Sequence, residues 1–149
     1  FKRILTRDLE ENIRDTMRIP FERKGIRGKI NLEKGVIWGD RDLLLSLLYN
    51  LLDNAVKYAD EHACIKLSLE KGKKGSVIRT MNPCTGLTQQ QVERLFDRFY
   101  RVDASRSSSG FGIGLSLAHS IAEGHKGSIR ATCREDGEIE FTVSLGKCV

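Results

Sequence analysis

From Asp40 to Tyr58 the chain carries a helix that can only lie with one side against a core. Leu44, Leu47, Leu48, Leu51, Leu52 and Ala55 recur at spacings of three and four, which places them on one broad apolar face. Asp40, just ahead of that run, is a residue type suited to an N-cap. Asn50, Asn54 and Lys57 stand at i, i+4 and i+7 and share a second face bordering the apolar one. Asparagine is a mediocre mid-helix residue because its side chain competes for backbone hydrogen bonds. A merely solvated face would more cheaply carry Glu, Lys or Gln. Two stacked amides beside a cation suit an oxygen-liganded metal with a phosphate, since amide oxygens ligate Mg²⁺ and lysine meets phosphate charge. A polar face packed against a loop is the alternative, and the helix alone leaves both open.

The rest of the pattern supplies partners for that helix. Leu9, Ile13, Met17 and Phe21 recur every four residues and predict a helix over Thr6–Lys24, with Pro20 expected to end or kink it. Gly25 and Gly28 break the pattern. Short strands are predicted at Lys29–Leu32 and Gly35–Trp38. Two more follow at Cys64–Leu69 and Ser76–Met81, joined by a turn at Lys71–Gly75. Thr88 caps a short helix through Phe96, residues 100–112 are polar and lack periodicity, and a helix runs from about Leu115 to Glu123. A hairpin of Ser128–Cys133 and Ile139–Leu145, turned at Glu135–Gly137, ends the chain. Strands and helices mix without strict βαβ alternation, so the expected class is α+β, one sheet covered by helices in two layers.

Composition narrows the function classes. At 149 residues the chain fits one domain, with residues 1–24 as a leading helical segment. Hydrophobic residues at 40% and charged residues at 30% exclude collagenous, coiled-coil and disordered classes. The net charge of +5 comes from interspersed acids and bases and reads as solvated surface rather than a nucleic-acid footprint. Cys64, Cys84, Cys133 and Cys148 include no CxxC pair and are expected to be unpaired thiols in a reducing compartment. No stretch approaches the roughly 18–20 apolar residues of a membrane helix. The chain begins at Phe1, not Met, and reads as a piece of a longer protein.

Gly110-Phe-Gly112-Ile-Gly114-Leu-Ser opens directly into the predicted helix at 115. Glycines let backbone approach a ligand, and a helix N-terminus offers free N–H groups to phosphate. The spacing matches neither G-x-G-x-x-G nor G-x-x-x-x-G-K-[ST], so dinucleotide and P-loop readings fail. Upstream, Phe96-Asp-Arg-Phe-Tyr-Arg-Val-Asp-Ala-Ser-Arg106 packs three aromatics and three arginines into eleven positions. By themselves these fit core or partner contacts and solvated surface equally well.

Taken together the motifs become specific. Asn50-Leu-Leu-Asp-Asn-Ala-Val-Lys-Tyr58 resembles the N box of sensor histidine kinases. Phe96-Asp-Arg-Phe-Tyr-Arg-Val-Asp103 resembles their F box, and Gly110-Phe-Gly-Ile-Gly-Leu-Ser-Leu-Ala118 their second glycine box. Order and spacing match, and the resemblance covers the chain from about Thr6. The superfamily is that of the GHKL ATPases, and the F-box segment is similar to the histidine kinase branch. The resemblance implies a Bergerat fold, a two-layer α/β sandwich with a mixed sheet on one side and helices on the other. ATP would lie between the two-asparagine helix and a mobile lid of about residues 100–112. By the same resemblance Asn54 is the Mg²⁺ ligand, and Asn50 assists at metal and phosphates. Lys57 contacts phosphate, and Tyr58 lies near the nucleotide. Arg101 neutralises the transferring γ-phosphoryl group, so Asn50 and Arg101 are the catalytic pair. Arg98 and Arg106 serve phosphate or acceptor docking. Gly110, Gly112 and Gly114 complete the triphosphate site, and Gly86, Leu87, Phe99 and Leu115 line the nucleotide. Such a site is physically coherent, because phosphoryl transfer rests on positioning and charge neutralisation.

The family's first glycine box reads Asp-x-Gly-x-Gly, and here the matching stretch is Asn82-Pro-Cys84-Thr-Gly86-Leu87. Asn82 can still accept from the adenine amino group, but without a charge to strengthen the bond. The implied function is the ATP-binding catalytic domain of a sensor histidine kinase. It would pass the γ-phosphoryl group to a histidine on a separate dimerisation domain, and through it to a response regulator. His62, His119 and His125 do not resemble that phosphoacceptor. The expected setting is the cytoplasmic portion of a membrane-anchored protein, with no nucleic-acid partner. Two alternatives stay open: a nucleotide-binding regulatory module without transfer activity, and a GHKL serine kinase of the anti-sigma type.

Overall fold

A computed structural model of the chain describes residues 1–83, 88–97, 114–134 and 136–146. Helix α1, Thr6–Lys24, buries the stripe of Leu9, Ile13, Met17 and Phe21. It continues through Pro20 to the predicted end at Lys24, with Met17 and Phe21 on either side both anchored in the core. Gly25 ends it in the left-handed region (φ 67°), where its N–H bonds Glu22 O and the next N–H, of Ile26, reaches back to Phe21 O.

Five strands form the main sheet, in the order β2 (Arg27–Leu32), β4 (Cys64–Gly72), β5 (Gly75–Pro83), β7 (Glu138–Gly146) and β6 (Ser128–Cys133). β2 and β4 run parallel and every other neighbour is antiparallel, so the sheet is mixed. A separate two-stranded sheet pairs β1 (Lys2–Leu5) with β3 (Val36–Gly39). β1 has no counterpart in the sequence expectation. It is only four residues long, two of them charged, and its one buried side chain, Ile4, gives no readable alternation.

One face of the sheet is mainly apolar, through Ile30, Leu67, Ile78, Phe141 and Ala131 at alternate positions of their strands. Helices α1, α2 (Arg41–Tyr58) and α4 (Gly114–Gly124) cover that face, with α2 packed between the other two. Both sheet edges are covered by side chains. On β2, Arg14 donates to Ile30 O and Glu10 accepts from Leu32 N. On β6, Gln89 of the short helix α3 (Gln89–Glu93) accepts from Cys133 N at 2.9 Å and lies 3.4 Å from Ala131 O. Edges treated this way offer few free backbone groups for pairing with another chain. A 3-10 turn, Arg94–Phe96, follows α3 and sets Phe96 edge-on to Phe141 at 6.0 Å. The result is the two-layer α+β sandwich expected from the sequence.

Candidate functional site

Helix α2 is the centre of the site because its two faces do different work. Asp40 caps it, Oδ1 accepting from Leu43 N at 3.0 Å. Leu44, Leu45, Leu47, Leu48, Leu51, Leu52 and Ala55 are buried; Leu45 is the one not anticipated. Asn50, Asn54, Lys57 and Tyr58 are half-buried along the second face, while Asp53 between them is exposed. The Asn50 Nδ2 is buried and has no hydrogen-bond partner among the described residues. At the C-terminal end Lys24 donates to Val56 O and lies 3.4 Å from Lys57 O, a cation meeting the negative end of the helix.

Strand β5 brings the second component. It runs two residues beyond the predicted end at Met81 and so carries Asn82 into the sheet opposite Ile139. Asn82 points inward with Ile78 and Thr80, towards the layer that contains α2, and is fully buried. Its Nδ2 donates to Pro83 O at 3.2 Å. That bond fixes the amide, and the Oδ1 is left as a buried acceptor without a partner among the described residues. The Thr80 Oγ1, two residues back on the same face, is also buried and unpaired. Thr80 went unmarked in the sequence, although the alternation through Ile78 already assigned it to the inner face. Native structures leave few buried polar atoms unsatisfied, so three on α2 and β5 together call for an explanation.

Helix α4 forms the third side. It opens at Gly114, and Leu115, Ala118, Ile121 and Ala122 are buried. Leu115 therefore belongs to the core. His119 pairs with Glu123 at 2.9 Å on the helix surface. His125 is 3% exposed and holds the far end: Asp40 N–H donates to its Nε2 at 3.1 Å, so its Nδ1 carries the proton given to Ile121 O at 2.8 Å. Phe1 stacks on the ring at 4.6 Å. The end of α4 and the start of α2 are thus tied by one neutral imidazole. His62, at φ 64°, sits in an exposed turn.

Asn50, Asn54, Lys57, Tyr58 and Asn82 lie on packed elements, and Gly114 and Leu115 begin the helix that packs beside α2. Gly86, Leu87, Arg98, Phe99, Arg101, Arg106, Gly110 and Gly112, with the whole expected lid, lie outside the described residues. Among the described residues no cluster of three or more His, Cys, Asp or Glu is placed to hold a metal. The donors available here are amide oxygens and hydroxyls, which suit a hard, oxygen-seeking cation shared with phosphate rather than a zinc-type centre.

Residues 39–147 match the family of histidine kinase-, DNA gyrase B-, and HSP90-like ATPases. The probable sensor protein PcoS of Escherichia coli is 40% identical over 114 residues, covering 75% of this chain and 24% of PcoS. The signal transduction histidine-protein kinase BaeS of Escherichia coli K12 is 33% identical over 128 residues, covering 84% of this chain and 27% of BaeS. The chain thus spans about a quarter of the length of these curated relatives. The catalytic domain of histidine kinase ThkA superposes with a TM-score of 0.82 at 21% identity, over 99% of this chain and 97% of that one. ThkA in complex with the response regulator TrrA gives a TM-score of 0.81 at 20% identity, over 99% and 42% of the two chains. At these identities the structural likeness speaks for the fold. No helix among the described residues is long and apolar enough to cross a membrane.

Proposed function

This chain belongs to the family of histidine kinase-, DNA gyrase B- and HSP90-like ATPases, and on that premise we propose that it is the catalytic ATP-binding domain of a sensor histidine kinase. The observation that carries the reading is the Asn82 Oδ1, a fully buried and oriented acceptor that nothing among the described residues satisfies. An exocyclic amine of adenine is the complementary donor, and guanine presents a carbonyl at that position. The fit extends to α2. Asn50 Nδ2 is a buried donor open to a phosphate or metal-bound oxygen, and Asn54 offers an amide oxygen one turn further along. Lys57 lies on the same face and adds positive charge for the phosphates.

Mg²⁺ bound with the nucleotide supplies charge neutralisation for the phosphates. Asn54 is the residue that would hold it, with Asn50 beside it orienting the phosphate chain. Arg101, from the F-box resemblance, is assigned the developing charge on the γ-phosphoryl oxygens. The chain's own work is then to bind, orient and neutralise, which suits a loose transfer transition state. The acceptor is a histidine on a separate dimerisation domain, and a response regulator takes the group from there. On this reading the domain lies on the cytoplasmic side of a sensor protein.

Incubation with γ-labelled ATP, Mg²⁺ and a dimerisation domain supplied in trans tests the assignment. Acid-labile, base-stable label on that domain is the expected result. Acid-stable label would move the chain to the serine-kinase alternative, and no transfer despite ATP binding would make it a regulatory module.

A further inference from the structure

The sheet face turned away from the helices carries an uneven charge pattern. Rows across the strands follow from the register. One runs Lys29, Lys66, Met81, Glu140 and Thr132, and the next Asn31, Ser68, Arg79, Thr142 and Arg130. Lys29 and Lys66 are therefore directly opposite on parallel neighbours, both exposed, a like-charge pairing that weakens a sheet. Arg79 lies one row along and on the next strand. These three cations, with Asn31 and Ser68 between them, surround a shallow depression of ≈ 240 Å³.

The carboxylates nearby leave its two lysines without a counter-charge. Glu70 pairs with Arg79 at 3.5 Å, and Glu140 is engaged by Arg134 at 3.1 Å on the far side of Met81. Lys29 and Lys66 make no ion pair among the described residues, nor does Arg27 at the same edge. Nothing in the packing requires a second lysine at position 66, since both side chains leave the sheet on its solvent side.

We propose that the open face of β2, β4 and β5 docks an acidic polypeptide segment, whose carboxylates are held by Lys29, Lys66 and Arg79. Charge complementarity sets the sign of the partner. The neutral donors of Asn31 and Ser68 suit carboxylate oxygens as well. The other polyanions fit less well, because among the described residues none of the large exposed hydrophobics, such as Trp38, Leu5 or Leu117, lies on this face. Single-stranded nucleic acid needs an aromatic platform, and membrane surfaces are gripped by apolar insertion beside the charge. The surface lies on the opposite side of the sheet from α2, so a bound segment leaves the nucleotide site open.

The test is a titration of the ¹⁵N-labelled domain with octaglutamate at about 50 mM salt, where screening of exposed charge is modest. Two double variants accompany it, Lys29→Glu/Lys66→Glu on the face and Arg7→Glu/Arg18→Glu on the exposed side of α1, which change net charge equally. The expected result is saturable shifts confined to β2, β4 and β5, with affinity reduced about tenfold or more in the face variant and far less in the helix variant. Retained ATP-analogue binding in the face variant verifies that it is folded. Equal weakening in both variants would reduce the effect to net charge and overturn the proposal. So would the absence of saturable binding, or binding of oligothymidylate or phosphatidylserine vesicles through Lys29 and Lys66 when octaglutamate leaves them unmoved.

Discussion

Asn82 Oδ1 on β5 and Asn50 Nδ2 on α2 are a buried acceptor and a buried donor on elements packed against each other, and neither has a hydrogen-bond partner among the described residues. Each such atom costs about 1–3 kcal/mol in a folded protein. A ligand that presents a donor to one and an acceptor to the other recovers that cost on binding. A nucleotide does both, through its base and its phosphates.

Asn82 makes the sharpest test of the base. Asn82→Asp should tighten ATP binding by about 1 kcal/mol, since a charged acceptor bonds more strongly than a neutral one, less whatever its desolvation costs. Asn82→Ala should weaken ATP and leave GTP little changed. Titrating both nucleotides against the three proteins reads the difference, and an unchanged ATP/GTP ratio in Asn82→Ala removes Asn82 from the site.

Thr80 should behave as a stability–binding trade. Replacing its buried, unpaired hydroxyl by the isosteric methyl in Thr80→Val is expected to stabilise the nucleotide-free domain by about 1 kcal/mol, because an unsatisfied polar group is removed. The same change should weaken ATP binding severalfold if that hydroxyl serves the base directly or through water. Urea denaturation and calorimetry on one pair of proteins measure both, and destabilisation by the valine would contradict the burial argument.

Asn54→Ala should abolish the Mg²⁺-dependent part of nucleotide affinity while the fold persists. A half-buried asparagine with no role beyond the surface costs little to remove, about 0.5 kcal/mol or less. Mg-ATP affinity equal to that of the unaltered chain would sink the metal assignment.

His125→Ala removes the acceptor for Asp40 N–H, the donor to Ile121 O and a ring stacked on Phe1. The loss should be about 2–4 kcal/mol, combining an unsatisfied backbone group with lost packing. A shift in the urea midpoint corresponding to under about 0.5 kcal/mol would show that the link between α4 and α2 carries no stability.

The sequence made some of this legible and hid the rest for physical reasons. In α2 a single period of 3.6 carried both the apolar face and the asparagine face, so cap, core and polar stripe were all readable. β1 was not, because four residues with one buried position hold no period. The end of β5 lies two residues past the predicted Met81, at Pro83, where composition alone does not mark a strand. The strand's alternation continued through it, and following that phase from Ile78 would have placed Thr80 and Asn82 inside. The period of α1 was legible through Pro20 to Lys24, because the buried residues flanking the proline keep the stripe in phase. The tie between His125 and Asp40 spans 85 positions, and no local pattern announces it.

The central claim is that α2 and the end of β5 hold a Mg²⁺-adenine nucleotide. Calorimetric titration of the domain with ATP, with and without Mg²⁺ and beside GTP, tests it most directly. Saturable one-to-one binding that needs Mg²⁺ and favours ATP over GTP is the predicted result. Absence of saturable heat at millimolar ATP with Mg²⁺, or equal affinity for GTP, would contradict it.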